Sequence, residues 1–104
     1  MSPVKQLVES TIADNKVAIF SKSWCPYCAR AKKLLTTYPG LDQSDVKILE
    51  LDLRDDGSEI QSYLQSSTGQ RTVPNIFINQ EHIGGSDDLS ALERSGKLKT
   101  LVAA

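Results

Sequence analysis

Cysteine is scarce in this chain: there are two among 104 residues, Cys25 and Cys28, and they stand three positions apart. Secreted disulfide scaffolds typically spread about four to eight cysteines over their loops, so a stapled framework is excluded and one close pair points to redox chemistry or to half of a metal site. Histidine is scarcer still, with His82 alone. A closed structural zinc site takes about four ligands, and Cys25, Cys28 and His82 fall short of that. No metal is expected within one chain; a cluster shared between two chains stays open. Charge of one sign is also missing, since twelve basic and thirteen acidic side chains leave a formal net charge of -1. Such a balance makes no global field to recruit nucleic acid or an anionic membrane, and neither is an expected partner. No apolar run reaches about eighteen residues, and Met1-Ser2-Pro3-Val4-Lys5-Gln6 lacks the charged-then-apolar pattern of a signal peptide. A cytoplasmic monomer is expected. Repeats and low-complexity linkers are absent, and residues 1–104 suffice for one domain around one core.

What is present alternates between helical and strand periodicity. Ser2-Pro3 reads as an N-cap followed by proline at the first helical position, and Val4, Leu7, Val8, Thr11 and Ile12 recur at helical spacing until Asp14-Asn15. The apolar run Val17-Ala18-Ile19-Phe20 reads as a central strand. A helix then opens at Pro26 and carries Ala29, Ala31, Leu34, Leu35 and Tyr38 up to the break at Pro39-Gly40. A second strand is predicted from Val46 to Leu53. The turn Asp55-Asp56-Gly57 leads into Ser58-Glu59-Ile60-Gln61, which has capping-box form, and a third helix to about Ser67. Asn75-Ile76-Phe77-Ile78 forms a third strand, turned back through Asn79-Gln80 into an antiparallel fourth around Glu81-His82-Ile83. Ser86 or Asp87 caps a helix ending at Gly96, and Leu98, Leu101 and Val102 indicate a last short one. This order predicts an α/β sandwich with a four-stranded mixed sheet flanked by about five helices, as in a thioredoxin-like fold.

The cysteines then fall between a strand and a helix. With Pro26 at the first helical position, Cys25 becomes the N-cap, where its sulfur accepts hydrogen bonds from the amides of Tyr27 and Cys28 at the positive end of the helix dipole. That setting favours thiolate, with Lys22 as a nearby cation and Arg30 and Lys32 as weaker ones. Cys28, one turn on, is within reach for a disulfide. Lowering a thiol pKa from about 8.5 to about 4.5 raises the thiolate fraction at pH 7 roughly thirty-fold, but a Brønsted slope near 0.45 costs roughly sixty-fold in nucleophilicity. Attack therefore gains little. The gain lies in departure, because a stable Cys25 thiolate leaves readily when another thiol attacks the partner sulfur of a mixed disulfide that Cys25 carries. About fifty residues later Thr72-Val73-Pro74 precedes a strand. A proline there is an ordinary edge residue, or it is cis and leaves the preceding backbone free to pair with an extended thiol peptide.

Three runs in order, Lys22-Ser23-Trp24-Cys25-Pro26-Tyr27-Cys28, Gln70-Arg71-Thr72-Val73-Pro74 and Gly84-Gly85-Ser86-Asp87-Asp88-Leu89, resemble those of a dithiol glutaredoxin over nearly the whole chain. The resemblance implies a thioredoxin fold, a cis Pro74, and a glutathione-dependent oxidoreductase that reduces protein–glutathione mixed disulfides and protein disulfides. Cys25 would be the nucleophile and Cys28 the resolving thiol. Lys22 and Gln61 would meet the glycine carboxylate of glutathione, Val73 would pair its backbone with the cysteinyl part, Thr72 and Pro74 would flank it, Tyr27 would form a wall, and Ser86 and Asp87 would hold the γ-glutamyl end. Arg71 would add charge on the carboxylate side. A cation and a helix N-terminus at opposite ends of a groove suit a tripeptide that is zwitterionic at one end and anionic at the other.

Trp24 departs from the tyrosine or phenylalanine common at that place in glutaredoxins and is similar to thioredoxins. Thioredoxins, however, carry Gly-Pro between their cysteines, not Pro26-Tyr27. A glutathione-ligated iron–sulfur carrier made by two chains, each lending Cys25, is the alternative function, and Pro26 stiffens the loop against it. His82 is expected to be a strand residue without a chemical role, and the stretch from Arg30 to Lys33 a solvated helix face.

Overall fold

The computed structural model of the chain describes residues 2–104. Helix α1, Pro3–Asp14, starts as its sequence requires: Ser2 Oγ accepts the amide of Lys5 at 3.1 Å and Pro3 takes the first helical position. It is followed by β1 (Val17–Ser21), α2 (Pro26–Thr36), β2 (Val46–Glu50), α3 (Gly57–Thr68), β3 (Asn75–Ile78), β4 (Glu81–Gly84), α4 (Ser86–Ser95) and α5 (Lys97–Ala103). The sheet order is β2-β1-β3-β4. β1 runs parallel to β2, with Val17 opposite Val46, and antiparallel to β3, with Val17 opposite Ile78; β3 and β4 form an antiparallel hairpin. Asn79 and Gln80, at φ 50° and 66°, make its turn, matching the twist of the flanking strands.

All five residues of β1 are buried, because the strand lies between two layers. Alternation assigns its side chains. Ala18 and Phe20 face a core shared with Val4 and Val8 of α1, Ile60 and Leu64 of α3, and Phe77 of β3. Val17 and Ile19 face the other, built from Ala31 and Leu35 of α2, Leu89 of α4, and Leu98 and Val102 of α5. The predicted four-stranded mixed sheet with five helices is thus present, as a three-layer sandwich. Among the described residues no helix is long and apolar enough to cross a membrane.

Several boundaries differ from the sequence reading. β2 stops at Glu50 rather than Leu53, and Leu51–Leu53 forms a 3-10 turn that buries Leu51 and leaves Leu53 73% exposed. The chain bends there because Gly57, at the start of α3, packs directly on the carbonyl of Leu51. α2 ends at Thr36 rather than near Tyr38: the hydroxyls of Thr36 and Thr37 donate to the carbonyls of Lys32 and Lys33 at 2.6 Å, and such back-bonding competes with further helix. At α3 the capping box does not form. Asp56 is the N-cap, and the Gln61 amide instead donates to the carbonyl of Arg71 at 3.1 Å.

Candidate active site

β1 ends beneath the N-terminus of α2, and the four residues between them carry the site. Cys25 is the N-cap of α2, in extended conformation, and its Sγ accepts the amide of Cys28 at 3.4 Å. Its own amide donates to the carbonyl of Lys22 at 3.2 Å, closing the loop. Cys28 lies deeper, fully buried, while Cys25 keeps 8% exposure. Cys28 Sγ accepts the amide of Lys22 at 3.4 Å, so one loop places both sulfurs. Below the loop, Asp52 accepts the amide of Ser23 at 2.9 Å as well as its hydroxyl. These bonds from Ser23 hold the Asp52 carboxyl below its usual range. The 3-10 turn after β2 is therefore what ties down the segment leading into Cys25.

The two thiols are driven apart electrostatically. Burial pushes Cys25 up, but the amide of Cys28, the Cys28 side chain, the amide of Tyr27 and the charge of Lys32 together bring it below the ordinary thiol value. Burial also raises Cys28, and there the neighbouring Cys25 adds to the rise against the opposing amide of Lys22 and hydroxyl of Ser21. The lowered Cys25 stabilises the reduced fold fully above the ordinary thiol pKa, and this contribution is lost as pH falls through its own lowered pKa. The raised Cys28 contributes below the ordinary pKa and loses that contribution as pH climbs through its own. Iodoacetamide at neutral pH should accordingly label Cys25 first, with a pH profile displaced below that of a free thiol such as glutathione; mass mapping of the label over a pH series reads this, and preferential labelling of Cys28 would contradict the assignment.

The cation that acts on Cys25 is Lys32, not Lys22. Lys32 Nζ sits 2.7 Å from Glu50 Oε2, half-buried, so the predicted solvated face from Arg30 to Lys33 is interrupted at Lys32. Lys22 instead reaches over the ring of Trp24, 5.8 Å from its centroid, and Arg30 lies 5.6 Å from that of Tyr27. Both rings are exposed, Trp24 at 69% and Tyr27 at 53%.

Reaching α2 at Tyr27, the residue between Pro26 and Cys28, runs an open groove of about 330 Å³ lined by Tyr27, Thr72, Val73, Pro74, Ser86 and Asp87 together with Gln70, Gly85 and Asp88. Six of the sequence-predicted ligand residues, contributed by α2, the loop before β3 and the start of α4, thus meet at one place. Lys22 and Gln61 do not line it. The Val73–Pro74 peptide is cis. Among the described residues the backbone amide and carbonyl of Val73 have no hydrogen-bond partner. At the far end Gly85, rather than Ser86 or Asp87, is the N-cap of α4, and Asp88 Oδ2 accepts its amide at 2.9 Å, which leaves Ser86 and Asp87 to the groove. Gln70 escaped the sequence reading as a site residue. Its side-chain amide donates to the carbonyls of Thr72 and Pro74, both at 3.1 Å, a role for which its place just upstream of residues 72–74 is the only sequence signal.

A central mixed sheet with a C-x-x-C pair at a helix N-terminus and a proline loop facing it defines a thioredoxin-fold protein with a dithiol site for thiol–disulfide exchange. A sequence model of the family described as Glutaredoxin matches residues 17–83. Glutaredoxin-1 of Rhizophagus irregularis is 48% identical over 107 aligned residues, covering 100% of this chain and 99% of the relative. Glutaredoxin-C6 of Oryza sativa subsp. japonica is 50% identical, covering 90% and 80%. Among solved structures, wheat glutaredoxin superposes with a TM-score of 0.88 at 48% identity over 97% of this chain and 92% of that one. A buckwheat glutaredoxin–glutathione complex superposes with a TM-score of 0.88 at 40% identity over 96% and 87%. The chain belongs to the glutaredoxin family, glutathione-dependent thiol–disulfide oxidoreductases.

Proposed function

We propose that this enzyme reduces protein–glutathione mixed disulfides through Cys25 alone and protein disulfides through Cys25 and Cys28 together, with glutathione seated in the groove beside them. The observation that carries the reading is the convergence of Tyr27, residues 72–74 and Ser86-Asp87 on one groove next to an N-capped Cys25. The buckwheat relative in complex with glutathione supports the choice of ligand. In this reading the unpaired backbone of Val73 pairs with the cysteinyl residue of glutathione as one strand pairs with another. The first amides of α4 donate to the γ-glutamyl carboxylate, and Asp87 takes the ammonium.

The Cys25 thiolate attacks the glutathione sulfur of the mixed disulfide; that S–S bond breaks, the client leaves as thiolate, and a Cys25–glutathione disulfide forms. A second glutathione thiolate attacks the glutathione sulfur of this adduct, giving oxidised glutathione and returning Cys25 as a stabilised thiolate. For a protein disulfide, the Cys25 thiolate attacks one client sulfur and releases the other as thiolate; Cys28 then loses its proton and attacks Cys25 Sγ, expelling the client's second thiolate and leaving the Cys25–Cys28 disulfide for two glutathiones to reduce. Holding Cys28 neutral and buried slows this closure, so a glutathione adduct on Cys25 persists long enough to meet the second glutathione. Monomeric action in the reducing cytoplasm belongs to the same proposal; a close cysteine pair without a spread disulfide framework supports it.

Cys28→Ser is the discriminating variant. It is expected to retain turnover of a glutathionylated peptide within about threefold and to lose reduction of an intramolecular protein disulfide by about a hundredfold, since only the latter needs a resolving thiol. Intact mass of the protein quenched during turnover should show one glutathione on Cys25. A glutathione adduct on Cys28, or loss of both activities in Cys28→Ser, overturns the division of labour.

A further inference from the structure

Asn75 is the one amide among the buried polar side chains of the described core, 1% exposed at the start of β3 directly after Pro74. A buried amide is costly unless its donors and acceptors are met. Asn75 meets both: Nδ2 donates to the backbone carbonyl of Gln70 at 3.3 Å, and Oδ1 lies 2.9 Å from Nε2 of His82 on β4. The orientation follows from the chemistry, because a carbonyl oxygen can only accept, so Nδ2 must face Gln70 and Oδ1 must face the imidazole. His82 Nε2 is then necessarily the donor. Both the neutral Nε2–H ring and the imidazolium satisfy this, so the contact does not depend on the protonation state.

The bonds continue without a gap. The carbonyl of Gln70 is held by Asn75, and the side-chain amide of Gln70 holds the carbonyls of Thr72 and Pro74 at 3.1 Å each. Those two carbonyls bracket Val73, so fixing them fixes the direction of Val73's own unpaired amide and carbonyl. The ring of His82 is kept in place by Phe77, opposite it in the hairpin, with centroids 5.1 Å apart. An exposed strand histidine that does not itself line the groove is thereby connected to backbone that does.

We propose that His82 is a positioning residue for glutathionyl exchange, acting through Asn75 and Gln70 to hold the residue 72–74 backbone in the orientation that receives the substrate's cysteinyl residue. The proposal rests on glutathione occupying the groove as described above. It also replaces the expectation that His82 has no role.

His82→Phe keeps the ring stacked on Phe77 and removes only the donor; His82→Gln returns an N–H of similar reach. With a glutathionylated peptide, His82→Phe is expected to raise KM about five- to tenfold, the effect of one lost hydrogen bond that leaves a buried acceptor unmet, with kcat and the rate of Cys25 alkylation changed less than about twofold. His82→Gln should return KM to within about twofold of the unaltered protein. An unchanged KM in folded His82→Phe, or a Gln variant as defective as the Phe variant, would overturn the proposal. Should His82→Phe not fold, nitrogen-15 spectra of the unaltered protein decide it: a protonated Nε2 in alkaline buffer is required, and a ring protonated only at Nδ1 refutes the bond. A parallel assay with a cysteamine mixed disulfide separates the two levels of inference. A preference of about tenfold or more for the glutathionyl substrate in the unaltered protein upholds the groove reading, so that an insensitive His82→Phe then counts against His82 alone; no preference removes the groove reading and the inference with it.

Discussion

Cys25→Ser is expected to lose both glutathionylated-peptide and protein-disulfide turnover by about a thousandfold or more, because the attacking species is a thiolate and a serine hydroxyl is scarcely ionised in neutral solution. The loss should fall on the chemical step. Cys25 is 8% exposed, and the amide of Cys28 that donates to Sγ can donate equally to an oxygen in the same place. The fold should therefore survive, and the variant's melting temperature should lie within a few degrees of the parent. The effect is large because three features converge on one atom: the amides at the start of α2 and the charge of Lys32 stabilise the anion, the loop held by Asp52 aims it, and the same stabilisation makes the sulfur a good leaving group. Steady-state assays with both substrate types measure it. Retention of more than a few per cent of either activity would place the nucleophile elsewhere, and Cys28 is the sole other cysteine.

Gly57→Ala should produce the largest loss of stability from the smallest change of side chain. A Cβ built on Gly57 would lie 1.8 Å from the carbonyl oxygen and 2.7 Å from the carbonyl carbon of Leu51, both backbone atoms in the 3-10 turn that follows β2. Backbone cannot swing aside as a flexible side chain does. Either α3 lifts from the sheet, disturbing the buried Ile60 and Leu64, or the turn moves and takes Asp52 away from Ser23. The expected cost is about 3 kcal/mol or more, corresponding to a fall in melting temperature of roughly 10–25 °C for a domain of this size. Gly69→Ala is the control. It caps α3 at φ +83° with nothing within 4 Å of the added methyl, so only the left-handed backbone opposes it, at about 1 kcal/mol. Equal losses from the two glycines would refute the steric account.

The Asp52 consequence links the two experiments. A Gly57 variant that still folds should show slower alkylation of Cys25, since the segment from Ser23 to Cys25 loses its tether. Cys25→Ser leaves that tether intact.

Local patterns were enough to predict the four strands and five α-helices of the described residues, though not the 3-10 turn at Leu51–Leu53. The continuous apolar run at residues 17–20, helical spacing in 4–12 and 29–35, and the Asn79-Gln80 turn each report a physical requirement met within a few residues. Several expectations missed because a contact outside the local pattern had intervened. β2 ends three residues early because Gly57 sits on Leu51; Gln61 leaves its capping box for the carbonyl of Arg71; Lys32, from the second turn of α2, acts on the thiol. Other misses are local choices among near neighbours, as where Lys22 turns to Trp24 and the hydroxyls of Thr36 and Thr37 bond back into α2.

By itself, the sequence determined the chemistry on offer: two cysteines one helical turn apart, a proline that makes the first of them a helix N-cap, no further ligands for a closed metal site, and the runs at 70–74 and 84–89 that mark the family. Tertiary structure alone decided how those runs act together. Cys25, Val73 and Asp87 are separated by 48 and 14 positions along the chain. They share a site because β1 and β4 both run antiparallel to β3, so the C-terminal ends of β1 and β4 and the N-terminal end of β3 lie at the same end of the sheet. The same packing separates the two thiols, lowering one and raising the other, because only the folded chain sets how deeply each is buried and which amides point at it. It also makes His82 an anchor of the groove, through a buried amide that local periodicity reads only as the first residue of a strand.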